Sequence, residues 1–321
     1  MKTSLVYVLT SSPSDLFYEQ TLVSVWSARY WNPDLKIVLL VDDLTDKTLV
    51  GNRTLILDFV NEKIAIDLTK GAPKQYTLKE RSRILKTKMR SYINGDIFYI
   101  DSDTIVCGSL DEIDTFQFAI GAVDDNHCPF KQANSYEPVL HYVSILGYDV
   151  SSSKDYFNSG AIYMKDTPEV HVFTEDWYLH YLKGLSKGLV NDQPVLLIVD
   201  NQAHLITRLD GIYNCQILNG GLPFLSEAKV LHYYNVFGTR SFFALADPAF
   251  HKKIKDAGTL DEEDKAKIIS AKRQFIGEYA LVYGNSLPYW HSSLRHLYLE
   301  SPRLFRFCEF ISRVLRKFIS K

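Results

Sequence analysis

The stretch from Asp96 to Ile113 constrains this chain more than any other. Ile97, Phe98, Tyr99 and Ile100 form a short unbroken apolar run, which suits a strand buried on both faces. The run ends in two carboxylates, Asp101 and Asp103, with Ser102 turning the chain between them. Ligands of open α/β sheets gather at the carboxyl ends of strands. Two acids placed there can reach one hard divalent cation, Mn²⁺ or Mg²⁺, together with substrate phosphates. The stretch therefore reads as a metal and diphosphate site. The alternative is a solvated turn, in which Asp-x-Asp pairs are common.

The flanking sequence supplies an α/β frame. Leu5 to Leu9 reads as a first buried strand, followed by Thr10, Ser11, Ser12, Pro13, Ser14 and Asp15. Small hydroxyl residues there can sit against a nucleotide or cap the next helix. That helix is expected over 16–30, and a second strand over 36–41, stopped by Asp42 and Asp43. Strand, helix, strand at this spacing predicts a parallel sheet. Residues 53–69 carry no clear period. A helix over 79–93 leads into the central strand, with Arg83, Lys86 and Arg90 at i, i+3 and i+7 on one face. Three cations there can meet a diphosphate or form a solvated basic face.

Beyond the acids, a strand is expected over 118–123 and a long loop over 126–153 that covers an acceptor. A strand is expected from about Gly160, with Asn158 and Ser159 at its entrance. A helix follows over 170–183. Asn191, Asp192, Gln193 and Pro194 read as the cap of a further element, with Asp192 in the usual N-cap role. Short strands are expected over 210–215 and 230–234. His232 lies in the second, either as a core histidine or as a third ligand to the Asp101/Asp103 metal. From Ser301 a helix runs to Ile319, with Pro302 at its first position. Leu304, Phe307, Cys308, Ile311, Val314, Leu315 and Phe318 form an apolar stripe along it, and the last 31 residues hold seven basic side chains against two acidic. Such a helix can lie on an anionic membrane surface or pack on the domain.

Composition excludes little. The 321 residues suit one large α/β domain with an appendage, and a net charge of -2 gives no footprint for nucleic acid. Cys107, Cys128, Cys215 and Cys308 lack metal-ligand spacing and read as reduced thiols of a cytoplasmic protein. The N-terminus does not read as a signal peptide, and no run reaches the length of a membrane span.

In this order the motifs resemble those of the family 8 glycosyltransferases, including bacterial lipopolysaccharide galactosyl- and glucosyltransferases and, more distantly, glycogenin. The matching pieces are the first strand with its Thr10-Ser11 loop, Ser82 to Lys86, Phe98 to Thr104, Phe157 to Gly160, Asn191 to Gln193 and Leu231 to Tyr233. The resemblance covers roughly residues 3 to 240. It implies a GT-A fold: a Rossmann-like, mostly parallel sheet flanked by helices. Residues 1–240 would be the catalytic domain and 241–321 a C-terminal helical extension. It implies retaining transfer of a hexose from a UDP-sugar to a saccharide or glycolipid acceptor, in lipopolysaccharide, capsule or other surface glycan synthesis, at the inner face of the membrane. By position, Asp101, Asp103 and His232 would hold Mn²⁺ or Mg²⁺. Thr10, Ser11, Ser102, Asn158, Ser159, Asp192 and Gln193 would line the donor, Arg83 and Lys86 would face its diphosphate or sugar, and Gln193 and Asp192 would stand at the anomeric carbon. The family follows its histidine with Gly and then Lys-Pro-Trp. Here only Gly238, after an insertion, and Arg240, in place of the Lys, could match. The alternatives are a haloacid-dehalogenase-type phosphatase, whose Asp-x-Asp-x-Thr motif Asp101 to Thr104 also fits, and a non-catalytic sugar-nucleotide or glycan-binding protein.

Overall fold

The computed structural model describes residues 2–68, 70, 75–133, 135–217, 219–234, 243–274, 297 and 301–319. Gly238 and Arg240 therefore lie outside the described residues. The main sheet has seven strands: β1 (Ser4–Leu9), β2 (Ile37–Asp42), β3 (Glu62–Ile66), β4 (Ile97–Ile100), β6 (Ile120–Asp124), β7 (Phe157–Met164) and β8 (Ile206–Arg208). Their spatial order is β3-β2-β1-β4-β7-β6-β8. β7 runs antiparallel to both neighbours, and every other pairing is parallel.

The apolar runs predicted to be buried on both sides are so. Leu5, Tyr7, Leu9, Leu39, Phe98 and Ile100 pack on one face with α1 (Phe17–Trp31). Val6, Val8, Leu40, Ile97 and Tyr99 pack on the other with α3 (Leu78–Lys88), α5 (Pro168–Ser186) and α6 (Gln193–Ala203). A single helical turn, α2 (Asp43–Asp46), closes β2, and the Asp42 carboxylate caps it by accepting from the Thr45 amide. Period-two alternation sends successive side chains to opposite layers, and both layers are dry. The chain moves outward from β1 to β3 and then returns to β4 on the other side of β1. This reversal opens a crevice at the carboxyl ends of β1 and β4.

A second sheet of three strands, β5 (Thr104–Val106), β10 (Val230–His232) and β9 (Cys215–Gln216), hangs from that end. β10 is antiparallel to β5, with His232 opposite Thr104. Helices α7 (Pro248–Ala257) and α8 (Glu262–Ile269) share the α1-side core through Phe250, Ile254 and Ile268. The last helix, α9, spans Pro302–Ile319 as expected.

Several expectations change. The loop expected over 126–153 contains a helix, α4 (Tyr136–Ile145), whose Val139 and Val143 are buried against the α6 side. The helix expected over 79–93 stops at Lys88 and tightens into a 3₁₀ turn, Met89–Ser91. Arg90 lies in that turn, is buried, and pairs with Asp166 at 3.5 Å, so it leaves the face of Arg83 and Lys86. β7 begins at Phe157, which puts Asn158 and Ser159 within the strand rather than at its entrance. Of the strand expected over 210–215, most is a 3₁₀ turn, Gly211–Asn214, whose N-cap Asp210 accepts from the Ile212 amide. Residues 53–69 resolve into a 3₁₀ stretch, Gly51–Asp58, and the edge strand β3.

Candidate active site

The site forms where the two sheets meet. β4 ends at Ile100, and Asp101 hydrogen-bonds back to the main sheet through its amide, donated to the Gly160 carbonyl at 2.8 Å. The chain then turns through Ser102 and Asp103 into β5, which leaves Asp103 at the hinge between the sheets. The Tyr233 amide donates to the Asp103 carbonyl at 3.1 Å, fixing β10 beside it. His232 Nε2 stands 3.3 Å from Asp103 Oδ1. One ligand atom each from Asp101, Asp103 and His232 lie within 4.8 Å of one another.

These residues fit a divalent cation. Two carboxylates and an imidazole are an O,O,N donor set suited to Mn²⁺. Gly160 leaves room for the arrangement by its lack of a side chain. A Cβ there would meet His232 Cε1 at 2.3 Å and Asp101 Oδ2 at 2.9 Å. Burial pushes the Asp103 carboxyl up, but the His232 ring in its protonated form, a backbone amide and Arg83 outweigh it and hold it below its ordinary value.

Behind the acids lies a buried charged network. Lys86 is 1% exposed and its Nζ reaches Asp101 Oδ1 at 3.2 Å, Asp192 Oδ2 at 3.2 Å and Ser159 Oγ at 3.0 Å. Arg83 Nε pairs with Asp192 Oδ1 at 2.9 Å and NH1 approaches Asp101 Oδ1 at 4.0 Å. Burial opposes ionisation of Asp192, yet Lys86, Arg83 and the Ser159 hydroxyl hold its carboxyl far below the carboxylate range. Asp192 occupies the N-cap position of α6, but its side chain makes no capping bond. The expected capping role is therefore replaced by ion pairing. In this structure Lys86 is committed to Asp101, Asp192 and Ser159.

Two cavities meet at the acids. One, of about 320 Å³, is lined by Leu9, Thr10, Phe17, Leu78, Arg83 and Ser102 together with Asp101 and Asp103. The other, of about 360 Å³, is lined by Tyr142, Asn158, Ser159, Asp192, Gln193 and Tyr234. Arg83, Asp101 and Asp103 belong to both walls. Ser11 is buried and donates its hydroxyl to Asp15 Oδ1 at 2.7 Å. Asp15 in turn accepts from the Phe17 amide at 3.0 Å, so it completes the start of α1.

Solved glycosyltransferases share this architecture. The galactosyltransferase LgtC, solved with donor and acceptor sugar analogues, matches at 15% identity over 83% of this chain and 100% of that chain, with a TM-score of 0.52. The glycosyltransferase GlyE of Streptococcus pneumoniae TIGR4 matches at 17% identity over 84% of this chain, with a TM-score of 0.51. The fold is GT-A. This chain spans 62% of the length of the GlyE chain. An active-site mutant of LgtC matches at 13% identity over 83% of this chain, with a TM-score of 0.51. No protein-family model matches the chain, and no curated protein does. At these identities the likeness is one of GT-A architecture.

Within this GT-A frame, three residues escaped the sequence reading. Tyr234 stacks on the His232 ring, with centroids 4.1 Å apart and planes 19° apart. Its place two residues after His232, in the strand expected over 230–234, was the available signal, although β10 itself ends at His232. Asp125 is buried at the end of β6 and accepts from Asn158 Nδ2 at 2.9 Å. Burial raises its carboxyl above the ordinary value, against the hydrogen bonds of Asn158 and Gln193. Its position at a strand's carboxyl end matched that of Asp101. Asn214, fully buried beside His232, carried no sequence signal.

Proposed function

We propose that this chain is a metal-dependent, retaining hexosyltransferase acting from a UDP-sugar on a saccharide or glycolipid acceptor. The observation that carries this reading is the convergence of His232, from the wall of one cavity, with Asp101 and Asp103, which belong to the walls of both. Those cavities suit a nucleotide on the β1 and α3 side and a sugar on the β7 and α6 side. A pocket for each half of the donor, divided by cation ligands, is what a diphosphate bridge needs. Asp101, Asp103 and His232 would hold Mn²⁺ or Mg²⁺, which when bound supplies Lewis acidity to the leaving diphosphate.

The chain's own residues do the rest. Arg83 borders both cavities and presents a guanidinium to the junction, where charge develops on the departing oxygen. Burial disfavours its charge, but Asp192 and Asp101 push its pKa above the ordinary value, so it is cationic throughout the working range. Thr10 and Ser102 border the nucleotide side. On the sugar side, Gln193 Oε1 accepts from the Ser159 amide at 3.1 Å and from Asn158 Nδ2 at 3.2 Å. That fixes the side chain next to where an anomeric carbon would lie. Asp192, committed to Lys86 and Arg83, acts as a charged wall rather than as a free nucleophile. A glycosidic bond forms to the acceptor oxygen as the bond from sugar to diphosphate breaks, on the same face, and the acceptor hydroxyl's proton passes to the departing diphosphate oxygen.

The test is a panel of UDP-sugars with Mn²⁺, measuring UDP release with and without saccharide acceptors. One UDP-hexose should be turned over in a chelator-sensitive manner. Turnover of a simple aryl phosphate without any UDP-sugar cleavage would overturn the reading, as would tight UDP binding with no cleavage at all.

The C-terminal helix supports a place at an anionic membrane surface for surface-glycan synthesis. Leu304, Phe307, Ile311, Val314 and Leu315 of α9 are all exposed, with Arg303 and Arg306 beside them. No helix among the described residues is long and apolar enough to cross a membrane. Co-sedimentation with phosphatidylserine vesicles, lost in the Phe307→Asp/Ile311→Asp double variant, checks this. Equal sedimentation of that variant would exclude it.

A further inference from the structure

We infer that Asn214 is a positioning residue that sets the tautomer of His232, so that Nε2 presents its lone pair to the cation site. The inference rests on the metal reading above and deepens it.

The argument begins at a group with no ambiguity. A backbone N–H is only ever a donor. The Gly160 amide lies 2.9 Å from one side-chain atom of Asn158, so that atom is the oxygen Oδ1. The other end of Asn158, its Nδ2, then faces acceptors: Asp125 Oδ1 at 2.9 Å and the Tyr234 hydroxyl at 2.7 Å. That hydroxyl donates onward to Gln216 Oε1 at 2.8 Å, so it is free to accept.

Asn158 Oδ1 also receives a contact of 2.9 Å from Asn214. Facing an oxygen, that atom of Asn214 is its Nδ2. The remaining atom, Asn214 Oδ1, is an acceptor and lies 3.0 Å from His232 Nδ1. His232 Nδ1 must therefore carry the proton. In the neutral ring Nε2 is then unprotonated, and it points toward Asp103. The three side chains are buried, at 3%, 0% and 2% exposure, so water does not compete at any step.

This arrangement matters because a free imidazole in water prefers the opposite tautomer, with the proton on Nε2. An imidazole in that state offers no lone pair to a cation on the Asp103 side. The polarity is written by the β7 backbone at Gly160 and passed through two amides to the ring. Metal-bound histidines ordinarily donate their second nitrogen to a carboxylate or carbonyl. Here an asparagine amide takes that place, while the Tyr234 ring holds the plane of the imidazole from its face.

Two variants separate positioning from bulk packing. Asn214→Asp keeps an acceptor for Nδ1–H while losing the donor to Asn158 Oδ1, whereas Asn214→Ala removes both. The first readout is nitrogen-15 NMR of the metal-free full chain at alkaline pH. His232 should show a protonated Nδ1 and an unprotonated Nε2 in the wild type and in N214D, and lose that pattern in N214A. The second is calorimetric titration with Mn²⁺ alone, where N214A should weaken binding about 10- to 100-fold and N214D less. A protonated Nε2 in the wild type, or an unchanged pattern in N214A, overturns the inference. Loss of the Nδ1-protonated pattern in N214D as well as in N214A also overturns it, because an acceptor at 214 would then not set the ring. If the wild type binds no Mn²⁺, the metal reading falls, while the NMR result still decides the tautomer.

Discussion

The two cavities that share Arg83, Asp101 and Asp103 are built in different ways. The β1-side cavity draws on residues 8–20 and 78–103, the β1–α1 and α3–β4 units, which the parallel pairing of β1 with β4 sets side by side. The β7-side cavity draws on α4, β7, the start of α6 and β10, gathered from residues 135 to 234. The first is held by the parallel sheet itself, since any βαβ unit brings its loop to the same edge. The second depends on an antiparallel strand, a buried ion network and a small second sheet. One cavity is thus a product of local order, and the other of long-range packing. Disturbing the second should therefore cost more.

The largest expected effect lies at the junction. Asp103→Asn should lower chelator-sensitive transfer about a thousandfold, since a cation at a leaving group supplies several kcal/mol. Steady-state UDP release checks this, and full activity would break the link between the acids and the reaction.

The buried network comes next. Lys86→Met leaves buried Asp192 with one of its two cations and should destabilise the fold by about 3 kcal/mol, read by urea denaturation. The same change at exposed Lys36, paired with Glu62 at the surface, should cost at most about 1 kcal/mol. Equal effects would mean that the network holds no more than a surface pair.

The pH dependence sharpens the same point. The Asp192 carboxyl is depressed in the folded state, so the unfolded chain takes up its proton first as pH falls. The stability it contributes is complete above about pH 5, beyond the ordinary carboxylate value near 3.9. It declines as pH drops below that value toward the folded pKa. Melting temperatures from pH 6 to 3 should fall less steeply in Asp192→Asn than in the wild type, from a lower starting point.

Gly160→Ala tests the close approach at the hinge. Its Cβ would overlap the His232 ring, so the ring must move, and Mn²⁺ affinity should drop about 10- to 100-fold. The smallest effect is expected on the first cavity. Thr10 Oγ1 donates to the Leu78 carbonyl at 3.1 Å, tying the β1 loop to α3. Thr10→Val should cost about 1 kcal/mol, a change in KM of less than tenfold. A larger loss there would erase the distinction between the two cavities.

Much of this was readable in residue order. The buried strands around Leu5, Ile37 and Ile97 showed as continuous apolar runs. Thr77 and Glu80 form a capping box at the head of α3, close to where that helix was expected. Asp101, Asp103 and His232 were singled out by residue type, and the structure brings them together. Other features misled. Arg90 kept helical spacing with Arg83 and Lys86, but the helix tightened before reaching it. Asp192 had the form of an N-cap, yet two cations and a hydroxyl compete more strongly for its oxygens than a backbone amide. α4 was hidden because only Val139 and Val143 of its ten residues are fully buried, too few to mark a period.

By itself, then, the sequence determined the layered α/β frame, the carboxyl-end position of the acidic pair and the amphipathic character of α9. These depend on periodicity and on chain-local geometry, which a single strand or helix already expresses. Tertiary structure alone decided that Lys86 lies under the acids, that Gly160 must yield to the His232 ring, and that Asn214 completes a hydrogen-bond chain from β7. Those facts arise where segments tens of residues apart exclude water together. There, burial makes each polar atom choose a partner that no neighbouring residue in the chain can name.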